Sequence, residues 1–146
     1  METIVLQLIT PSFYSEFSDE LAEMRRLRFR VFKERMKWDV QTTGLMESDE
    51  FDACDPHYLL QVGLDGHVCG CVRLLPTTGL NMLREIFSAL LGEQIAPVSE
   101  TIWESSRFAL DLPEASMGVG SIAQATYELF AGMVEFGLSR KLTDIV

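Results

Sequence analysis

The spacing of apolar residues divides the first third of the chain into a strand, a helix and a polar segment. The β-branched, apolar run 3–9 (TIVLQLI) predicts a strand. Apolar residues then recur every three or four positions from Leu21, which predicts an amphipathic helix capped by Ser18 and ending near Trp38. The stretch 39–56 that follows is long, polar and without a clear element. Segments of this kind are more often functional than incidental, so we expect a functional loop here.

The rest of the chain predicts a hairpin followed by alternating helices and strands. Two apolar runs, Tyr58–Leu64 and Val68–Leu75, flank the dipeptide Asp65-Gly66, a strong hairpin signal. The later pattern predicts a short helix, a strand, a long helix and the start of another strand, at Leu83–Leu91, Ile102–Leu110, Ser121–Leu138 and Thr143–Val146. This order predicts an α/β (α+β) fold of three layers, a mixed central sheet with helices on both faces.

The last predicted strand is short for its position. A helix that returns the chain to a sheet normally delivers a full strand, and Thr143–Val146 has four residues. We therefore expect residues 1–146 to form a single domain that is incomplete at its C-terminus, or an unusually short natural product.

Composition and charge narrow the class of protein. With 146 residues, 47% of them hydrophobic and 23% charged, the chain has the composition of a folded domain. No apolar run approaches the roughly 18 residues of a membrane span, and the acid Glu2 argues against a signal peptide. The net charge of −10 repels nucleic acids and anionic membranes. We expect a soluble cytoplasmic protein without nucleic-acid or membrane partners.

The cysteines and histidines predict neither disulfides nor a metal site. Three cysteines do not form a disulfide framework, and Cys69 and Cys71 in an apolar run predict buried, reduced thiols. His57 and His67 lie ten residues apart without ligand spacing, so no metal site is expected.

The charges are clustered. Seven of the twelve basic residues lie within Arg25–Lys37. An acidic cluster follows, formed by Glu47, Asp49, Glu50, Asp52 and Asp55. Such runs usually mark solvated faces. Opposite charges this close in sequence can also build a site for a zwitterion.

The predicted strand IWESSRFAL carries unusual polar residues. Strand alternation predicts Glu104 and Ser106 on one face and Arg107 on the other, unless a bulge intervenes. Charges in an apolar strand are costly unless they are paired or used. Glu104 either forms a structural ion pair with an arginine across the sheet, or acts as a general base beside an arginine that binds an anion. Arg73, at the end of the preceding strand, has the same two interpretations.

Aromatic residues lie near the charge clusters. Arg28 and Phe32 are four apart and share a helix face, and Trp38 lies just past the predicted helix. Aromatic residues here usually belong to a core, but with carboxylates they can also hold a sulfonium or ammonium group. Asp49 and Asp52 are the nearest carboxylates in sequence, with ordinary surface acids as the alternative.

Taken together, these residues resemble a known family. The pattern is Arg28-x3-Phe32-x5-Trp38, Asp49-x2-Asp52, Arg73 and Glu104-x-Ser106-Arg107. With the stretches RFRVFKERMKWDV, GCVRLLPTTG and IWESSRFAL, it resembles the acyl-homoserine-lactone synthases (LuxI-type autoinducer synthases) over nearly the whole chain. The resemblance implies a fold similar to the GNAT acyltransferases.

The resemblance also implies an activity in quorum sensing. Such acyltransferases use S-adenosylmethionine and an acyl-acyl-carrier-protein as substrates and require no cofactor. The amine of S-adenosylmethionine attacks the thioester, and the homoserine carboxylate then closes the lactone and expels methylthioadenosine. By the same resemblance, Glu104 is the general base and Ser106 a nearby polar contact in the catalytic centre. The implied S-adenosylmethionine site is Arg28, Phe32, Trp38 and Arg107, and the implied site-ordering ion pairs involve Asp49, Asp52 and Arg73.

Two alternatives and one docking expectation remain open. The chain is alternatively a truncated, inactive synthase fragment. It is also alternatively a GNAT-type N-acyltransferase using acetyl-CoA, because Gly118 and Gly120 fit that family's pyrophosphate loop, although Ala115 occupies its basic or amide position. Because carrier proteins are acidic, we expect docking at a basic patch, either Arg25–Lys37 or Arg140–Lys141.

Overall fold

The computed structural model describes residues 4–112 and 120–146. The helices and strands of these ranges follow the predicted order, with two short strands, β2 and β3, added between the first helix and the hairpin. They are β1 (Ile4–Ile9), α1 (Ser18–Arg28), β2 (Thr42–Thr43), β3 (Met46–Glu47), β4 (His57–Gly63), β5 (Val68–Pro76), α2 (Met82–Glu85), β6 (Ile102–Leu110), α3 (Ser121–Ser139) and β7 (Asp144–Ile145). The predicted hairpin is therefore confirmed, with Gly66 in the left-handed region of its turn (φ 82°).

The main sheet has the order β1-β4-β5-β6-β7. Its neighbours are antiparallel except for β6 and β7, which run parallel, so the sheet is mixed as predicted. Side chains alternate along β4: Tyr58 and Leu60 pack in the core beneath α1, and Leu59 packs in the core beneath α3. Helices thus cover both faces, and the predicted three-layer fold class is confirmed.

The first helix differs from its prediction at both ends. Ser18 is the first helical residue and not the cap, because the chain enters the helix from a preceding turn and the N–H of Leu21 donates to the carbonyl of Phe17. The α-helical part ends at Arg28. The chain then continues as a π-helix over Phe29–Arg35, so the single predicted helix is two helices of different pitch.

The polar stretch 39–56 contains short elements that periodicity did not reveal. The strands β2 and β3 form a small antiparallel hairpin, and a 3₁₀ turn covers Glu50–Ala53. Asp49 caps this turn: its carboxylate accepts the N–H groups of Phe51 and Asp52, and the Asp52 carboxylate accepts the N–H of Asp49. The segment is thereby fixed beside α1 with Glu47, Asp49 and Asp52 pointing inward, whereas Glu50 and Asp55 are exposed.

The short helix predicted at Leu83–Leu91 is also divided. The helix α2 covers only Met82–Glu85, and a 3₁₀ turn follows over Ser88–Leu91. Gly92 ends it with a left-handed φ of 59°, at the predicted stop. The last strand, β7, has two residues and pairs with Ile102 and Trp103 of β6.

Two further observations concern the interior and the surface. Cys69 and Cys71 are buried, as predicted, and burial raises the pKa of the Cys71 thiol to about 12, so the thiol stays protonated at neutral pH. None of the helices within the described residues is long and apolar enough to cross a membrane.

Candidate active site

The predicted site residues meet where the end of α1, the acidic segment and strands β5 and β6 come together. Three arginines reach this place from three different elements, Arg28 from α1, Arg73 from β5 and Arg107 from β6. Three carboxylates of the acidic segment face them, those of Glu47, Asp49 and Asp52. The six formal charges cancel. We call this set the charge network.

Each arginine of the charge network contacts two carboxylates. Arg28 donates to both oxygens of Asp52, at 2.8 and 2.9 Å, and forms a second, short ion pair with Glu47. Arg73 Nη1 lies 2.5 Å from Asp49 Oδ1 and 3.1 Å from Asp52 Oδ1. Such bidentate, charge-assisted bonds fix both position and orientation. The acidic segment is thus tied to α1 and the sheet at the same time.

The ionisation of the charge network follows from its pairing. Burial acts to raise the pKa of Asp52, but the bonds from Arg28 and the charge of Arg73 outweigh it and hold that pKa well below its usual range. Burial likewise acts to lower the pKa of Arg28, and Asp52 and Glu47 raise it above its usual value. Arg28 and Asp52 therefore remain charged at neutral pH although both are largely buried.

Sequence reasoning missed three members of this region. Glu47 was noticed only as part of an acidic cluster, yet it is fully buried and accepts from Arg107 Nε at 2.7 Å. Tyr58 donates to Asp52 at 2.6 Å, and burial together with Asp52 raises its pKa. The sulfur of Met82 accepts from Arg73 at 3.2 Å. The acid cluster was the only available signal, and it did not separate buried from exposed acids.

A β-bulge changes the predicted alternation on β6. The β5–β6 register shifts between Cys71 and Arg73, and Arg107 adopts a left-handed φ of 55°. Arg107 therefore joins the side of Ser106, whose hydroxyl accepts from Arg73 Nε at 3.0 Å. Arg107 pairs there with Glu47, and with Asp49 at 3.1 Å. The alternation that would separate Ser106 from Arg107 was predicted for a strand without a bulge, and the bulge present here places them on the same side.

Glu104 is held by backbone groups. Its two carboxylate oxygens accept the N–H groups of Met82, at 3.0 Å, and Leu83, at 2.5 Å. Within the described residues it forms no ion pair, so the predicted structural pair with an arginine is not present there. Glu104 is 4% exposed, and its position is fixed by the start of α2.

Phe32 and Trp38 form an aromatic wall beside the charge network. Their rings stack with centroids 5.0 Å apart and an interplanar angle of 22°. The guanidinium of Arg107 lies 5.3 Å from the centroid of Phe32, within cation–π distance. Phe32 is buried, whereas Trp38 is 45% exposed and forms the outer surface of this wall.

Two neighbouring cavities open onto these groups. One, of about 420 Å³, is lined by residues that include Trp38, Asp49, Met82 and Arg107. The other, of about 290 Å³, shares Trp38, Met82, Phe87 and Arg107 and adds residues that include Phe32, Leu83, Glu104, Ser106 and Phe108. Together they have the size and mostly apolar lining of a small-molecule site.

The remaining predicted site residues lie beneath these cavities. Arg28 and Arg73 are buried, the side chain of Asp52 is largely buried, and none of the three lines either cavity. Arg28, which the resemblance assigned to the S-adenosylmethionine site, contacts Glu47 and Asp52 instead of the open space.

The lining suits a ligand that carries both signs of charge. A carboxylate, a guanidinium and stacked aromatic rings surround one space, and each can meet a different part of a zwitterion. No group of three or more His, Cys, Asp or Glu side chains among residues 4–112 and 120–146 is arranged to hold a metal ion. The pyrophosphate loop of the acetyl-CoA alternative involves Ala115 and Gly118, which lie outside the described residues.

The sequence is similar to autoinducer synthases along most of its length. The family model described as autoinducer synthase matches residues 12–146. An acyl-homoserine-lactone synthase of Vibrio anguillarum is 36% identical over 89% of this chain and 67% of its own length. The corresponding enzyme of Agrobacterium fabrum is 39% identical over 94% of this chain and 66% of its own. This chain therefore spans about two thirds of the length of these relatives.

Solved structures show the same likeness. The acyl-homoserine-lactone synthase LasI superposes with a TM-score of 0.83 at 38% identity, over 97% of this chain and 70% of that one. BjaI, a CoA-dependent acyl-homoserine lactone synthase crystallised with SAM and isopentyl-CoA, gives a TM-score of 0.85 at 27% identity, over 98% of this chain and 65% of that one.

Proposed function

This chain belongs to the autoinducer synthase family, and we propose that it makes an acyl-homoserine lactone, a quorum-sensing signal, from S-adenosylmethionine and an acyl thioester. The observation that carries the proposal is the placement of Glu104. Its carboxylate lines the same cavity as the stacked pair Phe32–Trp38 and Arg107. A base, an aromatic surface and an arginine thus face one space of suitable size.

The proposed reaction has two steps that balance without a further reagent. The α-ammonium of S-adenosylmethionine loses one proton to the base, and its nitrogen bonds to the thioester carbon. The carbon–sulfur bond of the thioester then breaks, and a second proton from the nitrogen passes to the departing sulfur, which leaves an amide and a free thiol. An oxygen of the methionine carboxylate then bonds to the γ-carbon, and the bond from that carbon to the sulfonium sulfur breaks. The products are the lactone and neutral methylthioadenosine. The second step needs mainly correct positioning, because the leaving group is already activated by its charge.

Glu104 takes the ammonium proton in this proposal, directly or through a water. An amine is nucleophilic only when deprotonated, so a base within hydrogen-bond reach is required. Each carboxylate oxygen accepts one backbone N–H, from Met82 or Leu83, and a carboxylate has about four acceptor positions. The remaining positions are available to the ammonium. Ser106 accepts from Arg73, which leaves its own O–H as a donor toward the substrates.

The other ends of S-adenosylmethionine are assigned to the aromatic wall and Arg107. The stacked rings of Phe32 and Trp38 offer a surface to the sulfonium group. Arg107 uses Nε and Nη2 on Glu47 and Asp49, whereas Nη1 has only a long contact of 3.8 Å to the sulfur of Met82. We therefore assign Nη1 to the substrate carboxylate. The Arg28, Arg73, Asp49 and Asp52 side chains support this arrangement from below by fixing the acidic segment.

We propose an acyl-carrier-protein thioester as the acyl donor, following the wider resemblance of the sequence. A specific observation favours a second candidate: the similar synthase BjaI is CoA-dependent and superposes with a TM-score of 0.85. The two donors carry the same thioester. They differ in the protein surface, which only a carrier protein presents to exposed cations. In the two expected patches these cations include Arg26, Lys33 and Lys37, and Arg140 and Lys141, whereas Arg28 is buried in the charge network.

The test is a product assay with both donors. The chain is incubated with S-adenosylmethionine and matched acyl-carrier-protein and acyl-CoA thioesters, and products are identified by mass spectrometry. We expect acyl-homoserine lactone and methylthioadenosine in equal amounts, with the carrier-protein donor preferred. Glu104→Gln should lower kcat by about 10²–10⁴-fold. The matched change Glu100→Gln, at an exposed turn, should leave it unaltered.

The other outcomes separate the alternatives. An N-acylated product without methylthioadenosine would indicate a GNAT-type acyltransferase. S-adenosylmethionine binding measured by calorimetry without any product would indicate an inactive fragment. The absence of both S-adenosylmethionine binding and product would overturn the proposal. A preference for acyl-CoA would replace the donor and retain the reaction.

A further inference from the structure

Asp111, which directly follows β6, holds two arginines of the π-helix. Its Oδ2 lies 2.8 Å from Arg30 Nε, and its Oδ1 lies 2.6 Å from Arg35 Nη2. Arg35 also donates through Nη1 to the carbonyl of Leu110, at 3.0 Å. Arg30 and Asp111 are partly buried, with about a quarter to a third of each side chain exposed. We call this arrangement the Asp111 clasp.

The spacing of the two arginines matches a π-helix and not an α-helix. With 3.6 residues per turn, side chains five positions apart on an α-helix lie about 140° apart around its axis, too far for one carboxylate. The wider turn of a π-helix, closed by i→i+5 bonds, brings positions five apart much closer around the axis. The π-helical turn thus places Arg30 and Arg35 on one side, where both reach Asp111.

The wider turn places Trp38 on Phe32. The N–H of Met36 donates to the carbonyl of Val31 at 2.9 Å, an i→i−5 bond, and the N–H of Trp38 donates to the carbonyl of Phe32 at 2.9 Å. Between them Lys37 adopts a left-handed φ of 58° and turns the chain back. Continued α-helix would place positions 32 and 38 about 120° apart on the helix, where their rings cannot stack.

We infer that Asp111 is a positioning residue, whose paired bonds to Arg30 and Arg35 hold the segment Phe29–Arg35 as a π-helix and so set Trp38 against Phe32 in the cleft. The inference rests on the proposed function only where it concerns S-adenosylmethionine. Its structural part concerns the free protein. An isolated surface ion pair contributes little to global stability, so the effect of the clasp is local.

The ionisation of Asp111 agrees with this role. Burial acts to raise its pKa, but the bond from Arg30 and the charges of Arg30 and Arg35 hold the pKa below its usual value. The clasp is therefore fully charged at neutral pH.

The first test follows the segment in the free protein. In Asp111→Ala we expect the indole resonance of Trp38 to shift and the amide of Met36 to exchange at least tenfold faster, while the resonance of Trp103 stays in place. Asp111→Glu, which keeps the carboxylate, should restore both signals. Glu34→Ala removes an exposed acid of the same segment and should change neither. Unchanged Trp38 and Met36 signals in Asp111→Ala would overturn the inference.

A second test measures ligand binding and kinetics. We expect Asp111→Ala to raise the KM and the dissociation constant for S-adenosylmethionine about five- to tenfold with little change in kcat, because Glu104 is held by other contacts. A loss of kcat at unchanged KM would overturn the assigned role. If Asp111→Ala does not fold, Asp111→Asn, which keeps one acceptor oxygen, gives the same comparison. If the wild type binds no S-adenosylmethionine while the free-protein signals change as expected, the proposed function fails and the structural inference stands.

Discussion

At the scale of single residues, the charge network meets two requirements for burying ions, a balanced total charge and a partner for each ion. Its six charges balance, so burial does not leave an uncompensated ion, and each arginine contacts two carboxylates. Such a network is weak evidence for high stability, because removing charges from water is costly. It is strong evidence for a fixed geometry, because the loss of one member leaves others buried without partners.

The first prediction concerns Asp52, which both Arg28 and Arg73 contact. Asp52→Asn keeps the shape but removes the charge that balances them, and we expect a loss of about 3–5 kcal/mol in the free energy of unfolding. Urea denaturation, with the m-value compared between proteins, measures it. The control is Asp55→Asn, an exposed left-handed position that Asn tolerates, with an expected change within about 0.5 kcal/mol. Equal losses in both variants would contradict the account.

At the scale of elements, sequence periodicity predicted what local spacing determines. The hairpin β4–β5, the long helix α3 and strand β6 follow from apolar patterns and turn residues within each segment. The π-helix was missed because its partner Asp111 lies 76 residues after Arg35. A bulge in β6 was named only as an exception to strand alternation, and its presence at Arg107 could not be predicted because it depends on pairing with β5. Elements set by distant contacts leave little trace in periodicity.

Site residues show the same limit. The nine residues of the predicted site were found through a family pattern that is spread over the whole chain. The local chemistry of each residue alone left both a structural and a functional interpretation open. Glu47 was missed because its burial arises only when β3 packs under α1. The backbone contacts of Glu104 depend on where α2 begins, which the sequence predicted one residue late.

The second prediction compares two glycines of α3. A Cβ at Gly137 would lie 3.6 Å from Ile145 Cδ1 and 4.0 Å from Leu142 Cβ, which is ordinary contact. Gly137→Ala should therefore stabilise the protein by about 0.5–1 kcal/mol through helix propensity. A Cβ at Gly132 would clash with Leu6 Cδ2 and come 2.8 Å from Leu59 Cδ2. Overpacking there costs about 1–3 kcal/mol and should cancel the gain or reverse it.

Thermal denaturation distinguishes these two variants. For a domain near this size, about 1 kcal/mol changes Tm by roughly 2–4 °C. We expect Gly137→Ala to melt above the wild type and Gly132→Ala at or below it. A higher Tm for Gly132→Ala than for Gly137→Ala would show that α3 does not approach β1 as closely as described.

At the scale of the whole molecule, a cluster of aromatic rings, a histidine and an arginine joins α3 to the sheet, on the face away from the charge network. His57 of β4 lies edge-on to Trp103 of β6, with ring centroids 5.1 Å apart, and contacts Phe136 of α3. Arg140 lies over Trp103 and Phe136, and its Nη2 is 2.9 Å from His57 Nε2. Only a neutral His57 can accept this bond. Burial and the charge of Arg140 lower the pKa of His57 to about 4.

The last prediction follows from that lowered pKa. Unfolded histidine has a pKa near 6.5, so as pH falls from about 6.5 toward 4 the unfolded chain takes up a proton that the folded protein excludes. The contribution of neutral His57 to the free energy of unfolding is therefore fully present above pH 6.5 and is lost as the pH falls through this window. Tm should fall by several degrees between pH 6.5 and 4. His57→Gln should flatten the decline, because glutamine can accept from Arg140 without titrating. The control change His67→Gln, in the hairpin turn, should leave the decline of Tm with pH unaltered. Asp52 and Asp111 have lowered pKa values, so their contributions are lost only at lower pH, below about 4. An undiminished decline in His57→Gln would exclude His57 as its source and assign the pH dependence of the fold to other groups.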